Sequence, residues 1–165
     1  MRTLRVWVVV CVAIGLVAGC KSGDMMPTPP VVTPTPPVVT PTVGDVTLEV
    51  EAFKLDEAEV KDLAGASGGK AVLFGSETSG AETAVPLTKG TYQVTLYMQG
   101  ADEDRDAVYL SVAGIENRLF AQEWGKVFAC ETVTVVVAKD GPVKVVLLAA
   151  ETDVYLDKVV LKRVK

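Results

Sequence analysis

The sequence predicts an all-β protein, an antiparallel β-sandwich or jelly roll, and three observations carry the prediction. From residue 45 onward, apolar residues recur at nearly every second position, the period of a strand with one buried face. The alternating runs are short and are separated at regular spacing by turn signals rich in Gly, Asp and Pro. The composition allows a packed core, since 49% of the 165 residues are hydrophobic, a figure that the first twenty residues inflate.

The elements follow in chain order. Residues 1–20 read MRTLRVWVVVCVAIGLVAGC. Arg2 and Arg5 form a positive start, and an apolar run from Val6 to Ala18 follows. That run is short for a membrane span, which needs about 20 apolar residues, and has the length and flanks of a secretory leader. Residues 22–44 change character. Seven of the nine prolines lie between Pro27 and Pro41, and PTPPVVT occurs at 27–33 and again at 34–40. Proline fixes φ and removes donors, so this is a disordered, extended Pro/Thr linker, not a folded repeat. At about 3.1 Å per residue it would reach roughly 70 Å.

The remaining 121 residues, 45–165, suit one domain. In 90–99, Tyr92, Val94, Leu96 and Met98 share one face, and Thr91, Gln93, Thr95, Tyr97 and Gln99 the other. In 107–113, Val108, Leu110 and Val112 alternate with Tyr109 and Ser111. Further strands are expected at 46–53, 70–74, 81–86, 116–121, 127–137, 143–149 and 154–163. Only 55–63 reads as a short helix, with Glu57, Glu59, Lys61 and Asp62 on its solvated side.

Composition also excludes chemistry. The chain has no His, so it has no Ser-His-Asp or Cys-His pair and no imidazole metal ligand. Without Arg2 and Arg5 there are 14 basic against 21 acidic residues, a net charge of −7. An acidic chain lacking a basic cluster is a poor partner for nucleic acid.

Val17-Ala18-Gly19-Cys20 resembles the bacterial lipoprotein box. The resemblance implies that residues 1–19 are a signal peptide and that Cys20 is the acylated N terminus, attaching the protein to a membrane. Lys21 stands where an Asp would favour inner-membrane retention, which points to the outer membrane or cell surface. Several acyl chains on one Cys anchor stably, at about 0.8 kcal/mol per buried CH2. With Cys11 removed and Cys20 lipidated, Cys130 is left alone and reads as a small buried hydrophobe.

Glu49-Val50-Glu51-Ala52, Ala66-Ser67-Gly68-Gly69-Lys70-Ala71-Val72, Val85-Pro86-Leu87-Thr88-Lys89-Gly90-Thr91-Tyr92, Tyr97-Met98-Gln99-Gly100, Asp104-Arg105-Asp106 through Val112-Ala113-Gly114, and Tyr155-Leu156-Asp157-Lys158-Val159-Val160-Leu161 stand in that order along the domain. Together they resemble the carbohydrate-binding modules of families 6 and 35. The resemblance spans nearly the whole domain. It implies a galactose-binding-like jelly roll and non-catalytic binding of a polysaccharide or oligosaccharide at the cell envelope. The alternative is a protein-interaction or structural envelope module with the same fold and no sugar affinity.

Candidate sites follow. In the resembled families a structural Ca2+ pins the first strand to the last. Glu49, Glu51 and Asp157 match its ligands, with a carbonyl near Gly69 or Lys70. Glu49 and Glu51 share a strand face. Asp157 shares one with Tyr155, Val159 and Leu161, and an inward carboxylate needs a partner. The alternative is two solvated glutamates and an Asp157 that accepts backbone N–H bonds. For sugar contact, Tyr97 and Tyr109 lie on the polar faces of their strands and Trp124 sits in the loop 121–126. If residues 100–106 simply turn the chain around, Tyr97 faces Tyr109; in a jelly roll the two strands can instead lie in different sheets. The competing roles are ordinary strand-surface tyrosines and a Trp124 that lids one end of the core. The families often place an Asn just before the closing-strand Asp; here the stretch is Glu151-Thr152-Asp153-Val154, so a sugar contact there falls to Glu151 or Asp153.

Asp102-Glu103-Asp104-Arg105-Asp106 invites an EF-hand reading, but Ala107 and Ala113 stand where the loop needs Gly and Glu. An acidic turn partly paired by Arg105 fits better. Two carboxylates can hydrolyse glycosides without His, yet no pair here flanks an obvious cleft, and the reading is of no enzyme.

Overall fold

The computed structural model describes residues 44–165; the leader, Cys20 and nearly all of the Pro/Thr stretch lie outside the described residues. Twelve strands follow in order: β1 (Val46–Glu49), β2 (Lys54–Asp56), β3 (Glu59–Asp62), β4 (Lys70–Phe74), β5 (Gly80–Leu87), β6 (Gly90–Gln99), β7 (Ala107–Val112), β8 (Ile115–Phe120), β9 (Phe128–Ala129), β10 (Val133–Val137), β11 (Gly141–Ala149) and β12 (Val154–Arg163). One sheet runs β10-β6-β12-β4-β3, with β1 also against β12 and β9 also against β6; the other runs β2-β5-β11-β7-β8. Every strand pairing is antiparallel. The fold is the expected all-β sandwich of jelly-roll type.

The period-two pattern fills the space between the sheets. Tyr92, Val94, Leu96 and Met98 of β6 are fully buried, as are Leu110 of β7, Leu147 of β11, Phe74 of β4 and Leu161 of β12. Their burial is the main term holding the sheets together, at about 25 cal/mol per Å2 of apolar surface removed from water. Tyr92 keeps its polar tip satisfied by donating its hydroxyl to the Thr88 carbonyl at 2.9 Å. Cys130 is the buried free thiol expected, and burial pushes its pKa up to about 12.

Four local expectations are corrected. Residues 55–63 form no helix. They end β2 in one sheet and form β3 in the other, and Glu57 turns between them in the left-handed region at φ 47°. The Glu57 carbonyl is held by the Ser79 hydroxyl at 2.6 Å. The segment carries few apolar residues because both strands are exposed sheet edges, not because it is one face of a helix.

The run 46–53 is broken as well. Strand β1 ends at Glu49, and Val50–Ala52 make a single 3-10 turn, so Glu49 and Glu51 share no strand face. The run 127–137 splits into β9 and β10 around Cys130–Thr132, although the Cys130 N–H still donates to the Leu96 carbonyl at 2.8 Å.

The fourth correction concerns β12. Its register with β6 shifts between Leu156, opposite Met98, and Lys158, opposite Tyr97. Asp157 is the extra residue of a bulge, which swaps the faces before and after it. Leu156, not Tyr155, therefore enters the core, together with Val159 and Leu161 beyond the bulge.

Of the two arrangements open for β6 and β7, the structure has the second: they belong to different sheets, and residues 100–106 carry the chain from one to the other. Tyr97 pairs with Ala129 and Lys158, and Tyr109 with Leu148 and Arg118.

Candidate functional site

Two polar constellations stand out. The first lies where β12 changes partner. Residues 154–156 of β12 pair with β4, and residues 158–161 pair with β1. Asp157 falls in the gap between the two, on the bulge. The turn Val50–Ala52 follows β1 there, and the short 3-10 turn Ser67–Gly69 precedes β4. Gly68 and Gly69 both take positive φ, 62° and 72°, which lets the chain coil tightly enough for Ser67 to face the gap.

Ser67 connects two of the predicted ligands. Its backbone N–H donates to Asp157 Oδ1 at 2.6 Å, and its hydroxyl donates to Glu49 Oε1 at 3.1 Å. Asp157 is only 2% exposed. Burial pushes its carboxyl above the usual range, and Glu49 adds to the rise, while the Ser67 N–H and the Lys158 ammonium hold it down in part. Glu49 Oε2 and Glu51 Oε2 are buried with no hydrogen-bond partner.

Both alternatives for these residues are thus partly met. Asp157 does accept a backbone N–H, but the glutamates are not simply solvated. Buried carboxylate oxygens without partners are rare and costly, and a hard cation is one group that satisfies them. Among the described residues no three Asp, Glu, His or Cys side chains close into a ligand shell by themselves, so a cation here would also take backbone carbonyl or water oxygens.

The second constellation is at one rim of the sandwich, where three loops meet. Gly100 closes β6 and bridges to Trp124 in parallel fashion, and the Gly125 N–H donates to the Gly100 carbonyl at 3.1 Å. A Cβ on Gly100 would stand 2.7 Å from Asp106 Cβ and 2.9 Å from Asp106 Cα, so only glycine lets these loops approach so closely. The Ala121 N–H donates to the Asp106 carbonyl at 2.7 Å. Trp124 is 53% exposed, and its indole N–H donates to Asp106 Oδ2 at 3.3 Å.

Glu151, from the loop before β12, accepts the Asp106 and Ala107 N–H groups at 2.8 and 2.9 Å through Oε2, and the Arg118 guanidinium at 2.5 Å through Oε1. The Arg118 guanidinium carbon stands 6.0 Å from the centre of the Tyr109 ring and 5.0 Å from that of Phe120. Arg105 pairs with Asp153 Oδ2 at 2.9 Å and also with Asp102. Burial raises the Asp106 carboxyl, the Trp124 N–H lowers it in part, and Glu151 raises it further.

The structure therefore brings together Trp124, Asp106, Glu151, Arg118 and Tyr109, with Asp153 beside them through Arg105. Tyr97 is not among them. It points outward from the other sheet, with the Lys158 ammonium 5.1 Å from its ring centre. Trp124 is no lid over the core, since half of it meets solvent. The turn 102–106 is the acidic turn paired by Arg105, but its last residue, Asp106, is buried and orients the Trp124 indole.

Sequence reasoning passed over Asp106, Arg118 and Phe120. Asp106 was hidden in a run of acids, and the other two lay in the expected strand 116–121. The one available signal was Phe120, an aromatic placed two residues beyond an Arg on the exposed side of a strand.

Comparison with known proteins gives fold-level likeness only. No family model matches the sequence, and no curated protein matches it. Among solved structures, a family 35 carbohydrate-binding module from Clostridium thermocellum superposes with a TM-score of 0.60 at 14% identity, covering 74% of this chain and 100% of that one. A family 36 module of a multidomain xylanase, from the hindgut metagenome of Trinervitermes trinervoides, gives a TM-score of 0.57 at 12% identity, covering 73% and 98%. An exo-β-1,3-galactanase from Phanerochaete chrysosporium, crystallised with β-1,3-galactotriose, gives 0.61 at 20% identity, covering 72% of this chain and 29% of the enzyme. The chain thus spans under a third of the galactanase and essentially all of the two modules. At these identities the chain shares the jelly-roll fold of carbohydrate-binding modules of families 35 and 36.

Proposed function

We propose that this chain is a non-catalytic carbohydrate-binding module, displayed at the bacterial cell envelope by a lipid on Cys20 and a Pro/Thr stalk. The observation that carries the reading is Trp124, a half-exposed indole held at a three-loop rim by a buried carboxylate. Sugars offer C–H faces to flat rings and hydroxyls to carboxylates and guanidinium groups. Trp124 supplies the ring, and Asp106, Glu151 and Arg118 supply the polar edge, with Tyr109 and Phe120 extending the apolar surface. Structural likeness to isolated modules of families 35 and 36 supports the same reading. Tyr97 would play no part in that contact.

Calcium belongs to the proposal as a structural ion. Glu49, Glu51 and Asp157 would hold it, and it would satisfy the two orphaned Glu oxygens while tying β1 to β12 at the strand hand-over. Its role there would be charge neutralisation, not chemistry on a substrate.

One observation favours the rival reading of an envelope module without sugar affinity. The rim charges are already spent on one another: Arg105 on Asp102 and Asp153, and Glu151 on Arg118 and two backbone N–H groups. The two readings separate on affinity gels cast with galactan, mannan, xylan and bacterial polysaccharides. Retardation on at least one polymer, abolished by Trp124→Ala and kept by Tyr97→Ala, supports sugar binding. Free migration on all of them, with a co-purifying envelope protein, supports the rival.

A further inference from the structure

The sheets expose several edges, and all but one of the longer ones are charged. Strand β1 carries Glu49, β2 carries Lys54 and Asp56, β3 carries Glu59, Lys61 and Asp62, and β8 carries Glu116 and Arg118. Charges on an edge strand are the usual device against pairing with another chain, because an edge presents unpaired N–H and C=O groups. Strand β9 has only two residues. Strand β10 is the exception. It reads Val133-Thr134-Val135-Val136-Val137, and among the described residues its sole strand partner is β6. It contains no charge, no proline and no glycine. Thr134 is exposed and Val136 is 59% exposed, the most of any large hydrophobic described.

We propose that β10 pairs with β10 of a second copy of this chain, antiparallel across a two-fold axis at Val135, joining two sheets into one. The flanking residues select this partner. With Val135 opposite itself, Val133 falls opposite Val137, Thr134 opposite Val136, and Thr132 opposite Ala138. One step further out, Glu131 falls opposite Lys139. Both are exposed, and the symmetry makes the pair twice, once at each end. A two-fold contact must be complementary to itself, and this nine-residue stretch is: a neutral centre with opposite charges at matching distances. Cross-strand pairs of opposite charge stabilise a ladder and like charges oppose it. The axis works whichever way the Val135 N–H points, because in an antiparallel ladder either that residue or its two neighbours form the hydrogen-bonded pairs. A single shared strand is small beside the roughly 1,600 Å2 of a stable complex, so the association is weak, with Kd in the range of about 10 µM to 1 mM.

The test is sedimentation equilibrium of the full chain in a density-matched detergent. Native protein shows a reversible monomer–dimer equilibrium. Glu131→Lys places lysine opposite Lys139 twice, and Lys139→Glu places glutamate opposite Glu131 twice; each weakens the dimer by at least about fivefold. The double variant Glu131→Lys with Lys139→Glu restores opposite pairing and returns Kd to within about twofold of native. Val136→Lys abolishes the dimer by charging the centre. All three positions are exposed, and unchanged circular dichroism confirms folding. The proposal is overturned if native chain stays monomeric throughout that range, if the single swaps associate as well as native, or if the double swap fails to recover.

Discussion

Calcium should stabilise the domain, because it would satisfy the two orphaned oxygens, and mass action sets the size of the effect. Leaving a buried polar atom unpaired costs about 1–3 kcal/mol, and Glu49 Oε2 and Glu51 Oε2 are both in that state. Binding to the folded chain alone adds about 2.7 kcal/mol at a hundredfold excess over Kd. For a domain of this length 1 kcal/mol moves the melting temperature by about 3–5 °C, so the expected rise is about 8–14 °C. The assay is differential scanning calorimetry in EDTA and then in millimolar Ca2+.

Asp157→Asn gives the matching control. Asparagine still accepts the Ser67 N–H but carries no charge. Because burial and Glu49 disfavour the ionised form of Asp157, the variant in EDTA melts no lower than native, and it loses most of the calcium response. The pH dependence has a definite sign. A carboxyl whose folded pKa lies above its unfolded value contributes stability at low pH and loses it as pH rises through the folded value. In EDTA the Asp157 contribution therefore declines from about pH 4 upward, whereas in calcium the ionised form is the one that binds and the stabilisation grows over the same range. A melting temperature that moves by less than about 1 °C on adding calcium, or a full response surviving Asp157→Asn, would refute this reasoning.

Other outcomes follow from the same geometry. Gly100→Ala drives a methyl into the Asp106 backbone, so it costs about 1–3 kcal/mol in urea unfolding and weakens polysaccharide retention; unchanged stability and retention would contradict the close approach of the loops. Leu96→Ala empties a fully buried position at the centre of β6 and lowers stability by about 2–5 kcal/mol; a loss below about 1 kcal/mol would mean that the sheets do not pack there. Cys130, with its thiol pKa pushed up to about 12, stays unmodified by a thiol reagent in native protein and reacts on unfolding, as read by peptide mass; rapid native labelling would place it at the surface.

How much of this was legible in the sequence depends on which interactions decide each element. Where burial decides, the reading holds: the alternation in 90–99 and 107–113 gave the inward faces of β6 and β7 residue by residue. Where the pairing partner decides, it fails. Residues 55–63 lack an apolar period because they run along two exposed edges, and no local propensity distinguishes that from a solvated helix. The bulge at Asp157 arises from a one-residue mismatch between β12 and β6, which is invisible until both strands are in register. It moved Leu156 into the core and Tyr155 out of it. The tyrosine pairing depended on whether 100–106 is a hairpin or a crossover, and Gly100 serves either. Trp124 was legible as a loop aromatic, but its Asp106 partner was concealed in an acidic run. Cys20 and the stalk lie outside the described residues, so the anchor rests on the sequence alone.

The proposed function turns on whether the Trp124 ring meets sugar. Nuclear magnetic resonance of the Trp124 indole N–H, during titration with the best-retained oligosaccharide, reads that contact directly. Sugar contact at Trp124 produces a saturable shift of that resonance together with the backbone amides of Asp106 and Ala107, which Glu151 holds. Saturable binding that leaves all three resonances in place, or no binding by any retained or tested glycan, would contradict it.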